Sequence, residues 1–199
     1  MFTRDQFERA CQVFAKKHSQ WKWASARNPG YGYLMRTTTH MRKSFVQTDE
    51  LAELVEDLEE GVEVITSADL ASSLTVNVVE NIVYCASFSV PAFYFAVHNS
   101  SGAPLPLNEI IQTSFFKISL PKDATSNDFA LTVPSGSFPL LSQGDHPTLG
   151  APWWYFHPCE TDKAVGEFMK EEDQALCEDE RLIRWMEIWL MIVGNVLNV

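Results

Sequence analysis

The most informative stretch of the sequence is Trp153-Trp154-Tyr155-Phe156-His157-Pro158-Cys159-Glu160-Thr161. Its four consecutive aromatic residues predict a strand that is buried on both faces. The strand runs into Pro158, which fixes its own φ and holds His157 in extended geometry. Cys159 is therefore expected on a stiff turn at a strand end, where a nucleophile would be well placed.

The local sequence leaves two interpretations of Cys159 open. A single cysteine is most often a small buried hydrophobic residue. The aromatic run and the proline add weight to a chemical role, because a thiol fixed at an element boundary is poorly placed for core packing. Cysteine chemistry would make the protein an enzyme rather than a binding module.

Length and composition indicate one folded domain over residues 1–199. Hydrophobic residues make up 46% of the chain and aromatic residues 12%, as in a globular protein. The formal net charge of -11 argues against sequence-independent nucleic-acid binding and against docking on anionic lipid. A basic protein surface is the easier electrostatic partner.

The cysteines predict neither a zinc site nor a disulfide framework. They are far apart and form no CxxC pair: Cys11, Cys85, Cys159 and Cys177. The N-terminus lacks the apolar segment of a signal peptide, so we expect a cytoplasmic protein with reduced thiols. We also expect no cofactor. The apolar run Ile188–Val199 falls short of the about 20 residues that span a bilayer, which predicts a core helix.

Helical periodicity marks both ends of the chain. Thr3 is predicted to cap the first helix, with Gln6 completing a capping box, and Cys11 lies in the apolar stripe of that helix. The predicted helices are Thr3–Lys17, Lys163–Cys177 and Asp179–Leu197, with a short helical lead-in at Pro104–Ile110.

Strand patterns fill the middle of the chain, so the fold class is α+β. Ser89-Val90-Pro91 is predicted to interrupt the strongest β signal, and 143–147 to form a loop before the aromatic run. The acidic stretch Asp49–Glu63 is predicted to be a solvated loop or peripheral helix that could also meet a basic partner. The predicted strands are Tyr31–Thr39, Leu74–Phe88, Ala92–Val97, Phe115–Leu120, Phe129–Val133 and the aromatic run itself.

Three separate sequence motifs, called words below, carry a resemblance to a known protein family. They are YCASFSVPAFYF at 84–95 followed by GAPLPL at 102–107, HPTLGAPW at 146–153 leading into HPCET at 157–161, and the Trp185, Trp189-Leu190 and Ile192-Val193-Gly194 positions of the last helix. Together they resemble the E2-like conjugating enzymes of the autophagy protein ten family. HPC by itself is a weak motif. HPxLGxP followed, after a spacer of four residues, by HPCxT is a specific one.

The resemblance implies an E2-like (UBC-like) fold: a curved antiparallel sheet flanked by N-terminal and C-terminal helices. It implies that Cys159 accepts the ubiquitin-like autophagy protein twelve as a thioester from the E1-like autophagy protein seven. The modifier would then pass to a lysine of autophagy protein five, in support of autophagosome formation.

The reaction also needs a donor for the tetrahedral oxyanion, worth about 3 kcal/mol. Ordinary ubiquitin E2 enzymes use the asparagine of a His-Pro-Asn word, but Cys159 occupies that place here. Tyr84 and His146 are the candidates for donating to the oxyanion or positioning the lysine; each could instead be structural. His157 is expected to shape the loop, and Thr161 to cap the following helix and so point its amides at the cysteine.

Other functions stay open at this point. An E2-like scaffold without activity would be expected to lack the cysteine. The autophagy protein three type, of the lipid-conjugation branch, also carries HPC but is longer and lacks the threonine two positions on. A papain-like hydrolase would need a histidine such as His98 or His146 beside the thiol, and no protease signature surrounds Cys159.

Overall fold

The structure is a computed structural model, and it describes residues 3–26, 28, 30–43, 74–134, 136, 138–158, 161–170 and 176–199. Within this part of the chain there are eight strands and four helices. The strands are β1 Lys22–Ala24, β2 Tyr33–Met41, β3 Thr75–Cys85, β4 Val90–Asn99, β5 Thr125–Ser126, β6 Ala130–Thr132, β7 Leu141–Asp145 and β8 Pro152–Phe156. The helices are α1 Arg4–Lys17, α2 Leu107–Ile110, α3 Thr161–Met169 and α4 Glu178–Val193.

The strands form one antiparallel sheet in the order β1-β2-β3-β4-β8-β7-β6-β5. Helices α1 and α4 pack against each other and share one hydrophobic core with the sheet. The predicted α+β class with an antiparallel sheet and helices from both ends of the chain is confirmed. The order places β8, the last strand of the chain, between β4 and β7.

Helix α1 forms as its sequence predicts. The Thr3 hydroxyl accepts from the Gln6 amide, and the Gln6 side chain accepts from the Thr3 amide, so the capping box is present. Its apolar stripe is buried, including Cys11, whose thiol pKa is raised well above its usual value by burial. Among the described helices, none combines the length and apolarity that crossing a bilayer requires.

The β3–β4 hairpin corrects one prediction. Val90 and Pro91 belong to β4 rather than interrupting it, and Pro91 lies opposite Tyr84. A proline near the start of a strand is compatible with pairing, because the ladder has barely begun there. The connection is the turn at 86–89, where Ser89 has a φ of 54°, in the left-handed region that favours glycine.

Several predicted boundaries also move. Phe115–Leu120 forms a turn and one isolated bridge, Phe116 to Leu197, instead of a strand, because its backbone pairs with residues 196–198 and not with a neighbouring strand of the sheet. Residues 143–145 belong to β7 rather than to a loop, α3 ends at Met169 and α4 ends at Val193. The acidic stretch 49–63 and residues 171–175 lie outside the described residues.

A buried ion pair joins β2 to β3 on the helix side of the sheet. The Glu80 side chain is 0% exposed, and Arg36 donates to one of its oxygens at 2.9 and 2.7 Å. Thr38 donates to the other oxygen at 2.6 Å. Burial raises the pKa of the Glu80 carboxyl, while the Arg36 guanidinium and the Thr38 hydroxyl pull it down.

We predict that Arg36→Met lowers the free energy of unfolding by about 3 kcal/mol at pH 7, because it leaves a buried carboxylate without its cation. The deficit should shrink as the pH falls towards 5. A carboxyl with a raised folded pKa binds a proton more readily in the folded state, so acid favours folding of the variant. Urea unfolding at both pH values measures this.

Arg9→Met is the matched control, because the Arg9 side chain is 50% exposed and its partners Glu178 and Asp179 are 64% and 46% exposed. Exposed pairs contribute little to stability, so its unfolding midpoint should stay near that of the native protein. An Arg36→Met deficit no larger than that of Arg9→Met would contradict the importance of the buried pair.

Candidate active site

The HPC word follows an interior strand of the sheet. Phe93 of β4 and Leu141 of β7 lie on either side of Phe156, the last residue of β8. Trp154 is buried and its neighbours in the aromatic run are half-buried, so the strand prediction is confirmed and the burial of both faces is partial. Strand pairing on both sides fixes where β8 ends.

Hydrogen bonds hold the chain on each side of the cysteine. Pro158 is buried, and its carbonyl accepts from the Thr161 amide at 3.2 Å and from the Thr161 hydroxyl at 2.9 Å. Helix α3 begins at Thr161, whose hydroxyl therefore donates to Pro158 instead of capping the helix as expected. Cys159 and Glu160 lie outside the described residues. The predicted orientation of the α3 amides towards the thiol therefore stays a prediction.

Aromatic rings enclose His157. Its ring stacks on Phe138 at 5.0 Å between centroids with an interplanar angle of 11°, and Phe88 meets it edge-on at 5.7 Å. Phe88 comes from the β3–β4 turn and Phe138 from the segment before β7. Burial in this cluster lowers the pKa of His157, which favours the neutral imidazole. The loop-shaping role of His157 stays a prediction.

His146 organises the loop that the HPxLGxP word encodes. Its Nδ1 accepts from the Thr148 and Leu149 amides, both at 3.2 Å. Its backbone amide donates to Ala151, and its carbonyl accepts from Gly150. Gly150 has a φ of +64°, which L side chains rarely adopt, so the glycine allows the chain to turn back at this point.

The His146 ring is buried on the sheet face that carries Tyr94. It is 1% exposed, and the rings of Tyr33, Tyr94 and Trp153 lie at 5.1 to 5.3 Å. Burial lowers its pKa to about 4, so the imidazole is neutral at pH 7. Since Nδ1 accepts two amides, the neutral ring carries its proton on Nε2.

Nε2 faces the side-chain amide of Asn81 at 3.2 Å. With its proton on Nε2, the ring is matched by the amide orientation that turns Oδ1 towards it. Both ring nitrogens of His146 are then occupied, which favours a structural role over proton transfer at this position.

Tyr84 lies in a different environment from His146. Its ring is 5.7 Å from Phe7 of α1, on the helix side of the sheet. Asn81, three residues earlier in β3, points to the opposite face because side chains alternate along a strand. The side chains of Tyr84 and His146 therefore lie on opposite faces of the sheet, although Tyr84 lines one cavity together with residues 147–148 of the His146 loop.

Sequence reasoning missed three contributors to this region: Asn81, Phe88 and Phe138. Asn81 is a polar residue within an apolar strand, and that signal could have marked it as a partner for a buried polar group. The two phenylalanines carry no local signal, because their contacts with His157 arise from tertiary structure. Among the described residues, no group of three or more His, Cys, Asp or Glu side chains could hold a metal ion.

An antiparallel sheet with helices from both chain ends, and an HPC word after an interior strand, define an E2-like α+β domain. A family model described as "Autophagocytosis associated protein, active-site domain" matches residues 6–199. The chain belongs to this family. Together with the curated relatives described next, this match confirms the resemblance to E2-like conjugating enzymes of the autophagy protein ten family and the transferase class.

Curated relatives agree with this assignment. The chain is similar to the Ubiquitin-like-conjugating enzyme ATG10 of Homo sapiens, with 24% identity over 212 residues that cover 97% of this chain and 87% of the relative. Proteins of the same name from Arabidopsis thaliana and Dictyostelium discoideum are 29% and 30% identical over 60% of this chain. Those two alignments span about half of each relative, 48% and 49%.

We predict that Phe138→Ala raises the pKa of His157 towards its usual value, because the stacked ring that shields the imidazole from water is lost. A proton NMR titration of the His157 ring measures the pKa directly. Phe129→Ala removes another exposed aromatic ring and serves as the control. An unchanged His157 pKa in Phe138→Ala would contradict the shielding role.

We also predict a pH dependence that originates at His146. Its folded pKa of about 4 lies below the usual value of 6.5, so the unfolded chain binds a proton that the folded chain does not. Stability contributed by this group is present above pH 6.5 and is lost as the pH falls towards 4. His146→Gln should therefore lose less stability than the native protein over this range.

Urea unfolding between pH 7.5 and 4.5 tests this pH dependence. His98→Gln is the control, because His98 lies on β4 outside the His146 cluster. The stability of the His98→Gln variant should fall with pH as steeply as that of the native protein. Equal slopes for all three proteins would rule out His146 as the source.

Proposed function

We propose that this protein is the E2-like enzyme that carries the ubiquitin-like autophagy protein twelve as a thioester on Cys159. It receives the modifier from the E1-like autophagy protein seven and transfers it to a lysine of autophagy protein five. The observation that carries the proposal is the HPC word at the end of β8, held by Pro158 and Thr161 within a domain of this family. A thioester enzyme needs a reduced thiol, so we place it in the cytoplasm.

The first step is transthiolation. The Cys159 thiolate attacks the carbonyl carbon of the thioester between E1 and modifier, a C–S bond forms, and the E1 cysteine leaves as a thiolate that takes up a proton. The thiolate is the reactive form, although an ordinary thiol is only slightly ionised at pH 7. The neutral His157 two residues earlier adds no positive charge, which suits a thiol that holds a thioester instead of reacting widely.

The second step is aminolysis. A neutral lysine amine attacks the same carbonyl carbon, a tetrahedral oxyanion forms, and its collapse releases the Cys159 thiolate and leaves an isopeptide bond. The amine loses one proton to solvent or to a base on the way. Preorganised donors at the oxyanion are worth about 3 kcal/mol each.

The described residues support different contributions from the three candidates. His146 and His157 act as positioning residues: His146 holds the 146–151 loop, and His157 fixes the approach to Pro158 against Phe88 and Phe138. Tyr84 remains the candidate for positioning the incoming lysine, because it lies at the end of β3 beside the β3–β4 turn.

The alternatives have less support. The scaffold would not need a cysteine at position 159, and a type-three enzyme is less favoured because the curated relatives carry the name ATG10. A hydrolase that used His146 as its base is disfavoured, since both nitrogens of that ring are engaged.

The test is a charging assay with the E1-like enzyme, the modifier and ATP, analysed on non-reducing gels beside Cys159→Ser. The native protein should shift by the mass of the modifier, and reductant should abolish the shift. In Cys159→Ser the adduct should persist under reductant, because an oxygen ester replaces the thioester. Cys85→Ser is the matched control and should charge like the native protein.

A native protein that stays uncharged while the E1 is visibly charged would exclude the carrier role. Rapid inactivation of Cys159 by a small electrophilic peptide, without E1, would favour the hydrolase. Charging that survives removal of the Cys159 thiol in a reductant-sensitive form would move the nucleophile to another cysteine.

A further inference from the structure

We propose that a cavity around Arg4 binds an acidic side chain of the acceptor protein, on the surface next to the candidate active site. The cavity measures about 290 Å³. Its walls include Arg4, Gly30, Tyr31, Tyr84, Cys85 and Ser87. The identity of the partner as an acceptor rests on the proposed function, while the chemistry of the cavity stands on the contacts below.

The guanidinium of Arg4 packs on two aromatic rings. Its central carbon lies 4.7 Å from the centroid of the Tyr31 ring and 4.9 Å from that of Tyr84. Cation–π packing of this kind uses the faces of the rings and does not consume the hydrogen-bond donors of the guanidinium. The two rings therefore help to hold the cation and leave its N–H bonds for other partners.

Gly30 makes room for this arrangement. It has a φ of +78°, and a Cβ atom there would lie 2.4 Å from Cδ of Arg4. The Gly30 carbonyl accepts a hydrogen bond from Nη1 of Arg4. A side chain at position 30 would therefore be strained by the backbone conformation and would require the Arg4 side chain to shift.

Among the described residues, Arg4 has one hydrogen-bond partner. A guanidinium has five N–H bonds, and the bond to Gly30 is the single hydrogen bond that Arg4 makes within the described part of the chain. A half-buried cation in a cavity matches a carboxylate, which can accept two parallel N–H bonds.

Charge and size define the ligand further. The chain has a formal net charge of -11, so a cation in a cavity is a local feature against an acidic background. Arg4 is the only Lys or Arg among the described residues lining the cavity, and this favours a monoanionic carboxylate over a phosphate dianion. Ligand pockets for small molecules start near 300 Å³, so this volume fits one side chain better than a cofactor.

The cavity borders the region where a modifier would be transferred. Cys85 and Ser87 on its wall lead directly into Phe88, whose ring contacts His157. His157 is two residues before Cys159, a reach of at most about 7 Å along an extended chain. An acceptor that places an acidic side chain over Arg4 would thus present the neighbouring surface to the candidate nucleophile.

The direct test uses the full chain and a small probe, N-acetyl-glutamic acid amide, observed through the Arg4 Nε–H resonance in NMR titrations. N-acetyl-glutamine amide is the uncharged control, and inorganic phosphate is the competing anion. We expect the Arg4 Nε–H resonance to shift and saturate at millimolar concentrations of the glutamate probe, and to stay in place with the other two compounds. No shift, or an equal shift with the glutamine probe, would overturn the proposal, and so would saturation with phosphate only.

Two variants connect the shift to the cavity. Arg4→Met keeps most of the length of the side chain without its charge, and Gly30→Ala keeps the charge but displaces it. Both should lose the saturable response, read from a neighbouring backbone amide of α1. A variant with an unfolding midpoint well below that of the native protein is set aside, and the other then decides.

The functional test measures transfer from isolated Cys159 thioester to the acceptor protein. We expect Arg4→Met to raise the KM for the acceptor about tenfold or more, as loss of a charge-assisted hydrogen bond predicts. Arg9→Met, on the same helix, should match the native protein. A carboxylate shift in the titration with an unchanged KM would refute the acceptor as ligand.

The two proposals fail in different ways. If Cys159 takes no modifier, the proposed function is wrong and the acceptor assignment falls with it, while the titration still decides whether the cavity binds a carboxylate.

Discussion

The central position of β8 is the constraint on which the site depends. Phe156 pairs with Phe93 of β4 on one side and with Leu141 of β7 on the other. This double pairing fixes the end of β8 beside the β3–β4 turn, and it makes the contacts of His157 with Phe88 and Phe138 possible. Thr161 then returns the chain to Pro158. The segment that contains Cys159 is thus anchored at both ends by the sheet and by α3.

Burial lowers the pKa of both His146 and His157, but the two rings make different contacts. His146 uses its nitrogens to close a loop and to meet Asn81, so its lone pair is committed to structure. His157 is enclosed by rings on the surface side and lies two residues from the candidate thiol. The two rings that contact His157, from Phe88 and Phe138, are themselves 41% and 49% exposed, so this histidine lies near the surface.

The sequence allowed prediction of whatever depends on local pattern. The capping box of α1, its buried stripe and the aromatic strand β8 all follow from neighbouring residues. Features that depend on tertiary pairing were not predictable in this way. Gln143-Gly144-Asp145 resembles a turn yet pairs with β8, because Gly144 leaves space for the Tyr155 ring that lies 3.1 Å from where its Cβ would be.

The same limit applies to the site. The family words supplied Cys159, Tyr84, His146 and His157, but not the side of the sheet on which each lies, since that depends on strand register. The separation of Tyr84 from His146 follows from the alternation of β3, and the role of Phe138 from a stack that no nearby sequence announces.

The buried position of Cys11 has a consequence for the exchange of a thioester between thiols. A thioester can migrate to any second thiol that reaches its carbonyl as a thiolate. Cys11 is fully buried in α1 and its pKa is raised, so it stays out of such exchange in the folded protein. Among the described cysteines, only Cys85 and Cys177 have solvent access. The packing of α1 therefore also limits the number of thiols to which a bound modifier could transfer.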